Sequence, residues 1–173
     1  DYGFGGRTAT RHLIDLGARC IAFVGGLEGR PITQERMSGY LAVMAEAGLQ
    51  PLTLSGSSSR SFGREAAVTL TRDHPTFDAA VCFNDLVALG MLSGFAAMGR
   101  SVGQAFRLVG FDDIEECAMA HPQLSSVHCN IAGFGRQTAA TLLGWLEDGI
   151  HPSPETRAPV ALVCRASSLG APR

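Results

Sequence analysis

Strand-like and helical patterns alternate along most of this sequence, and this alternation limits the folds open to the chain. Short apolar runs typical of buried parallel strands lie at residues 20–24, 52–54, 79–83 and 107–111. Apolar residues recur at helical spacing over residues 4–16, 33–47, 61–72 and 86–98. Repeated β-α units of this length predict an α/β fold, with helices on both faces of a doubly wound parallel sheet.

Residues at the predicted helix ends agree with this interpretation. Thr33 and Ser61 can each cap a first turn, because a hydroxyl oxygen accepts from the free backbone amides there. Gly17, Gly48 and Gly99 follow helical patterns and are predicted to end them.

The C-terminal part of the chain has a different rhythm. The patterns predict a strand at residues 125–128, a helix at 131–147 and a strand at 158–163. Prolines around the last connection favour a stiff, extended segment. This tail either continues the first sheet or belongs to a second lobe.

Charge and hydropathy exclude several kinds of partner. A formal net charge of −2 gives no basic surface for nucleic acid, so this chain itself is not expected to bind DNA. No apolar run approaches the roughly 20 residues of a membrane span, so no membrane partner is expected. The five cysteines are odd in number and form no Cys-x-x-Cys pair, which favours unpaired core residues in a reducing cytoplasm.

Polar side chains lie close to the ends of three predicted strands. Asp112 and Asn84 each follow a strand directly, and Arg36 lies in the helix after the first strand. Open α/β sheets bind ligands at the carboxyl ends of their strands, so these three residues should face one crevice. A carboxylate, an amide and a guanidinium can together hold the hydroxyl or carboxyl groups of a small polar ligand.

Each of these residues also has a structural alternative. Asp112 and Asn84 could cap the helices that follow them, and a capping role can coexist with ligand binding. Arg36 could instead form a surface ion pair with Glu35 or Glu46.

Motifs for catalysis and for metal binding are weak. The glycine-rich pieces at residues 3–6 and 25–26 match neither a dinucleotide fingerprint nor a phosphate-binding loop. Neither His121 nor His128 completes a zinc site with a nearby cysteine. An acidic magnesium site near Asp112 would lack a phosphate-binding lysine, because the chain contains none. We therefore expect no enzyme activity, no cofactor and no metal.

Six short motifs together resemble the lactose-repressor (LacI/GalR) family of bacterial transcription regulators. They read HLIDLGARCIA at 12–22, ERMSGY at 35–40, FNDLVALG at 83–90, VGFDD at 109–113, PQLSSV at 122–127 and PVALVCR at 159–165. Each motif alone is weak, but all six occur in the family's order and spacing over nearly the whole chain.

The resemblance implies the C-terminal part of a two-lobed effector domain, of the periplasmic-binding-protein-like type I fold. Residues 1–128 and 158–173 would form the C-terminal lobe, and residues 129–157 a crossover and a fragment of the N-terminal lobe. A helix-turn-helix segment that contacts operator DNA would precede this chain. The expected function is to bind a small effector and modulate operator binding; the alternative is a periplasmic solute-binding protein for a sugar-like ligand.

The resemblance also assigns roles to individual residues. Arg36, Asn84 and Asp112 match the family's effector-contacting positions. Ser58 falls where several sugar-binding members carry a stacking aromatic ring, which favours a smaller or more acidic effector than a flat pyranose. Ile131 matches another pocket position near a crossover, and Cys129 lies beside it.

The helix at 86–98 is apolar around more than one stripe, which predicts a surface that pairs with a second copy of the chain. The predicted interface comprises Leu89, Leu92, Ser93, Ala96, Ala118 and His121. The alternative is a helix enclosed in the core of its own chain.

The helix at 131–147 carries apolar residues that need a partner. Leu142, Leu143, Trp145 and Leu146 lie close together on it, and exposing several such side chains is costly. We expect either a second chain or the remainder of the first lobe to cover them.

Overall fold

The computed structural model describes residues 1–149 and 151–170 and contains one six-stranded sheet. The strands are β1 Ile21–Val24, β2 Leu52–Leu54, β3 Ala79–Cys82, β4 Arg107–Asp112, β5 Ser125–His128 and β6 Ala161–Val163. Their order is β2-β1-β3-β4-β5-β6. The first five strands are parallel and β6 pairs antiparallel with β5, so the tail continues the first sheet.

Helices cover both faces of the sheet, which confirms the doubly wound α/β prediction. They are α1 Tyr2–Asp15, α2 Pro31–Glu46, α3 Arg60–Asp73, α4 Asp85–Ala97, α5 Glu116–Met119, α6 Ile131–Asp148 and α7 Ala166–Leu169. Alternate strand residues point to opposite faces. Thus Ile21 and Phe23 pack against α1 and α2, whereas Ala22 and Val24 pack against α3 and α4.

Two predicted helix caps were wrong by a few residues. Helix α2 begins at Pro31, whose fixed φ suits a first helical position, so Thr33 lies inside the helix. Helix α3 is capped by Ser59, whose hydroxyl accepts from the Phe62 amide at 3.2 Å, and not by Ser61. The three predicted glycine stops are confirmed, since all have φ between 66° and 94°.

The tail differs in detail from its prediction. Strand β6 begins at Ala161 and not at residue 158, and α6 buries none of its residues against the rest of the chain. Residues 150 and 171–173, assigned above to the two lobes, lie outside the described residues. Among the residues the structure describes, no helix is long and apolar enough to cross a membrane.

Glycines let α3 and α4 approach closely. A Cβ atom on Gly63 would lie 2.0 Å from the Val87 carbonyl oxygen, and one on Gly90 would lie 2.1 Å from the Arg60 carbonyl oxygen. Because these contacts are to backbone, they cannot be relieved by a side-chain rotation. The position of α4, which starts at the site described below, therefore depends on the glycines.

We predict that Gly90→Ala lowers the free energy of unfolding by about 1–3 kcal/mol, the usual cost of overpacking. The control is Gly135→Ala on α6, where an added Cβ meets nothing within 4 Å. This control should leave stability unchanged or raise it by about 0.5–1 kcal/mol, since alanine favours a helix over glycine. Urea unfolding followed by circular dichroism measures both, and equal effects would contradict the close-approach argument.

Candidate functional site

The carboxyl ends of β3 and β4 meet at one edge of the sheet, beside α2. From α2, the Arg36 guanidinium donates to the Phe83 carbonyl oxygen at 2.5 Å and to Asp112 Oδ1 at 2.7 Å. Phe83 directly precedes Asn84. The structure therefore brings Arg36 and Asp112 into contact and places Asn84 at the same edge.

Aromatic rings surround the Arg36 guanidinium. Its Cζ atom lies 4.7 Å from the centre of the Tyr2 ring, 4.9 Å from Phe83 and 3.9 Å from Phe111. Its side chain is only 4% exposed. Within the described residues its Nε has no hydrogen-bond partner. Arg36 is thus enclosed, and its terminal nitrogens donate to the Phe83 carbonyl and to Asp112 within the chain.

The surface ion pair considered for Arg36 is not formed. Glu46 instead pairs with Arg7 and Arg11 on the solvent side of α1 and α2. No pattern in the sequence indicates that the Tyr2 ring packs on Arg36, because the two residues lie far apart in the chain. Phe83 and Phe111 could have been found, because each immediately precedes a polar residue at a strand end.

Asp112 presents its carboxylate in an unusual backbone conformation. Its φ is 105° and that of Asp113 is 57°, both in the left-handed region that side chains disfavour. Its side chain is 25% exposed, and within the described residues its Oδ1 accepts from Arg36 whereas its Oδ2 accepts no hydrogen bond. Burial raises the pKa of Asp112, and Arg36 offsets part of this increase. Asp112 does not cap a helix, because α5 starts only at Glu116.

Asn84 does act as a cap. Its Oδ1 accepts from the Val87 amide at 3.0 Å at the start of α4. Within residues 1–149 and 151–170, its Nδ2 group forms no hydrogen bond, which leaves a donor at the edge of the sheet where β3 and β4 end. The capping role and a ligand role are therefore compatible.

The remaining predicted site residues differ in burial and in position. Cys129 is buried with its Sγ 4.0 Å from Asp112 Oδ1, and burial raises the pKa of this thiol to about 11. Ile131 is 66% exposed and shares with Cys129 and Tyr2 a cavity of about 320 Å³. Ser58 lies exposed on the loop before α3.

Only some of the predicted interface residues are exposed to solvent. Leu92 is 8% exposed and packs in the core of its own chain, with Leu89 partly buried against the same core. The other four residues, Ser93, Ala96, Ala118 and His121, are exposed. Much of the apolar surface of α4 is therefore used inside the chain, as the enclosed-helix alternative proposed.

Comparisons with known proteins agree on one family. Residues 10–168 match the sequence profile of the periplasmic binding protein-like domain. The transcriptional repressor PurR of Vibrio campbellii is 33% identical over 150 residues, covering 85% of this chain and 45% of the relative. The ribose operon repressor of Halalkalibacterium halodurans is 27% identical over 166 residues, covering 96% and 50%.

Solved structures give the same result. A sugar-binding transcriptional regulator of the LacI family from Escherichia coli, complexed with phosphate, superposes with a TM-score of 0.88 at 28% identity. The match covers 99% of this chain and 62% of that one. The chain spans about half the length of the curated relatives it matches.

We predict that Asp112→Ala lowers the free energy of unfolding by about 3 kcal/mol, because it leaves the Arg36 charge buried without a carboxylate. The matched control is Glu46→Ala, which also breaks ion pairs but only exposed ones, and it should have a much smaller effect. Chemical unfolding measures both. Equal losses in the two variants would contradict the buried pair.

Proposed function

This chain belongs to the effector-domain family of the LacI/GalR regulators, with the periplasmic binding protein-like fold, and on that premise we propose that it senses a small, neutral, sugar-like molecule. The observation that carries the proposal is the Arg36–Asp112 pair, in which Arg36 also holds the carbonyl of Phe83, the residue before Asn84. The repressors among its relatives favour a regulator over a periplasmic solute-binding protein.

The charges of this site favour a neutral polyol as the effector. The Arg36 cation is balanced by Asp112, so neither charge is left for an ionic ligand. Asp112 can accept from a ligand hydroxyl while Asn84 donates to a neighbouring oxygen, which suits vicinal hydroxyls. D-ribose is the first probe, because one of the relatives is a ribose operon repressor.

In this proposal residues 1–128 and 158–173 form the C-terminal lobe, and residues 129–157 belong to the crossover and the N-terminal lobe. Exposure of apolar residues on α6 supports a covering surface from the remainder of that lobe: Leu142 is 48%, Leu143 57% and Leu146 72% exposed. Closure of the two lobes on an effector would shift the population of a state that binds operator DNA through a separate segment. Because operator DNA is cytoplasmic, we assign the whole protein to the cytoplasm.

We also propose a homodimer through the outer part of α4, the end of α5 and the segment after it. Ser93, Ala96 and His121 are exposed there, and Met119 is 72% exposed. A cavity of about 350 Å³ beside Ala96 and His121 could receive a side chain from the second copy.

D-ribose should raise the melting temperature of the intact protein, because a ligand that binds only the folded state stabilises it. Asn84→Ser keeps a hydroxyl cap for α4 but removes the amide donor. We expect this variant to melt near the wild-type temperature and to bind ribose about tenfold more weakly, which corresponds to a loss of about 1.4 kcal/mol in binding free energy. Calorimetric titration measures the affinity.

A panel of neutral sugars extends this test. Cellobiose, galactose and arabinose should be tried alongside ribose, with phosphate as an anionic control. If only anions bind, or if no sugar in the panel binds, the proposed effector class is wrong.

We expect sedimentation velocity to show that the wild-type protein is a dimer. Met119→Arg and Ala96→Arg should each convert it to a monomer, because each substitution places a charge in the interface. Val68→Arg is the matched control, because Val68 is an exposed apolar residue on α3 outside this surface. A wild-type protein that stays monomeric at high concentration would contradict the dimer.

A further inference from the structure

We infer that Asp85 is a positioning residue, whose buried carboxylate fixes the turn that presents Asp112 to the effector. This inference rests on the proposed effector site and extends it to a residue that would not touch the ligand. Asp85 is the first residue of α4 and is 1% exposed.

Both oxygens of the Asp85 carboxylate are used at the end of β4. Oδ2 accepts from the Ile114 backbone amide at 2.9 Å, and Oδ1 accepts from the Ser126 hydroxyl at 2.6 Å. The Ser126 oxygen in turn accepts from the Asp113 backbone amide at 3.1 Å. Asp85 therefore holds the two amides that follow Asp112, one directly and one through Ser126.

The backbone at this turn needs such support. Asp112 and Asp113 both have positive φ, a conformation that residues with a Cβ keep only when their surroundings impose it. If the two amides were released, the turn would relax toward ordinary φ values. The Asp112 carboxylate would then move away from Arg36 and from the ligand.

The surroundings of Asp85 accommodate a carboxylate at this depth. A Cβ atom on Gly110 would lie 2.1 Å from Asp85 Oδ1, so only glycine at position 110 leaves room for the Asp85 side chain. Burial raises the pKa of Asp85, and the Ser126 and Ile114 hydrogen bonds offset part of the increase. No cation in the described residues forms an ion pair with it. A carboxyl group kept in a costly buried position suggests a specific task.

Asp85 also adjoins Asn84. One short segment thus supplies the amide that would donate to the ligand and the carboxylate that holds the Asp112 turn. The two proposed effector contacts are fixed relative to each other through neighbouring residues, although Asn84 follows β3 and Asp112 ends β4.

The test uses Ser126→Ala, which removes the bridging hydroxyl without changing any charge. Its matched control is Ser167→Ala. Ser167 is equally buried, and its hydroxyl also makes two hydrogen bonds, accepting from the Ser125 amide and donating to the Leu108 carbonyl, away from the Asp112 turn. The first readout needs no ligand: the pKa of Asp112, from carboxyl carbon NMR as a function of pH.

With Ser126→Ala, the pKa of Asp112 should rise by about one pH unit, because the lowering effect of Arg36 weakens as the two groups separate. With Ser167→Ala it should not change. The second readout is D-ribose affinity of the intact protein, which should fall about tenfold in Ser126→Ala and in Asp85→Asn but not in the control.

These readouts separate the two proposals. If wild-type protein does not bind ribose, the NMR readout still tests the positioning role on its own. If Ser126→Ala lowers the melting temperature as the control does but leaves the pKa of Asp112 unchanged, then Asp85 only stabilises the fold and the inference is overturned.

Discussion

Burial of the Arg36 charge is the interaction on which the candidate site depends. A guanidinium that is 4% exposed must be compensated, and here the Asp112 carboxylate, the Phe83 carbonyl and three aromatic rings do so. These groups come from α1, from β4 and from the residue after β3, whereas Arg36 itself lies on α2. The charge therefore links elements that are far apart in the chain, and it fixes where the carboxyl edge of the sheet presents Asp112.

Much of this edge could be predicted from the sequence, because a polar or charged residue ends each apolar run at the point where the parallel strand ends. That rule identified Asn84 and Asp112, and glycines marked three helix ends. It could not reveal that Tyr2 covers Arg36, since packing between distant segments leaves no periodic signal. Ser59 and Ser61 are equally good caps by residue type, so only the local backbone decides between them.

The sequence pattern of α4 could not distinguish a side buried in its own chain from a side buried by a second chain. Helix α4 is apolar on several sides, and a hydrophobic pattern alone does not say whether a side is covered by its own chain or by another. Close packing through Gly63 and Gly90 places most of α4 inside the core, which leaves a narrow strip around Ser93 and Ala96 for a partner. The apolar residues of α6 illustrate the reverse case, because the described residues bury none of them fully.

We propose that a neutral sugar-like effector binds to Asp112 and Asn84 while Arg36 stays paired with Asp112. A crystal structure of the intact protein with D-ribose tests this most directly. We predict sugar hydroxyls within hydrogen-bond distance of the Asp112 carboxylate and the Asn84 amide, with the Arg36–Asp112 ion pair intact. A sugar bound elsewhere, or an Arg36 side chain turned away from Asp112 to bind the ligand, would contradict the account.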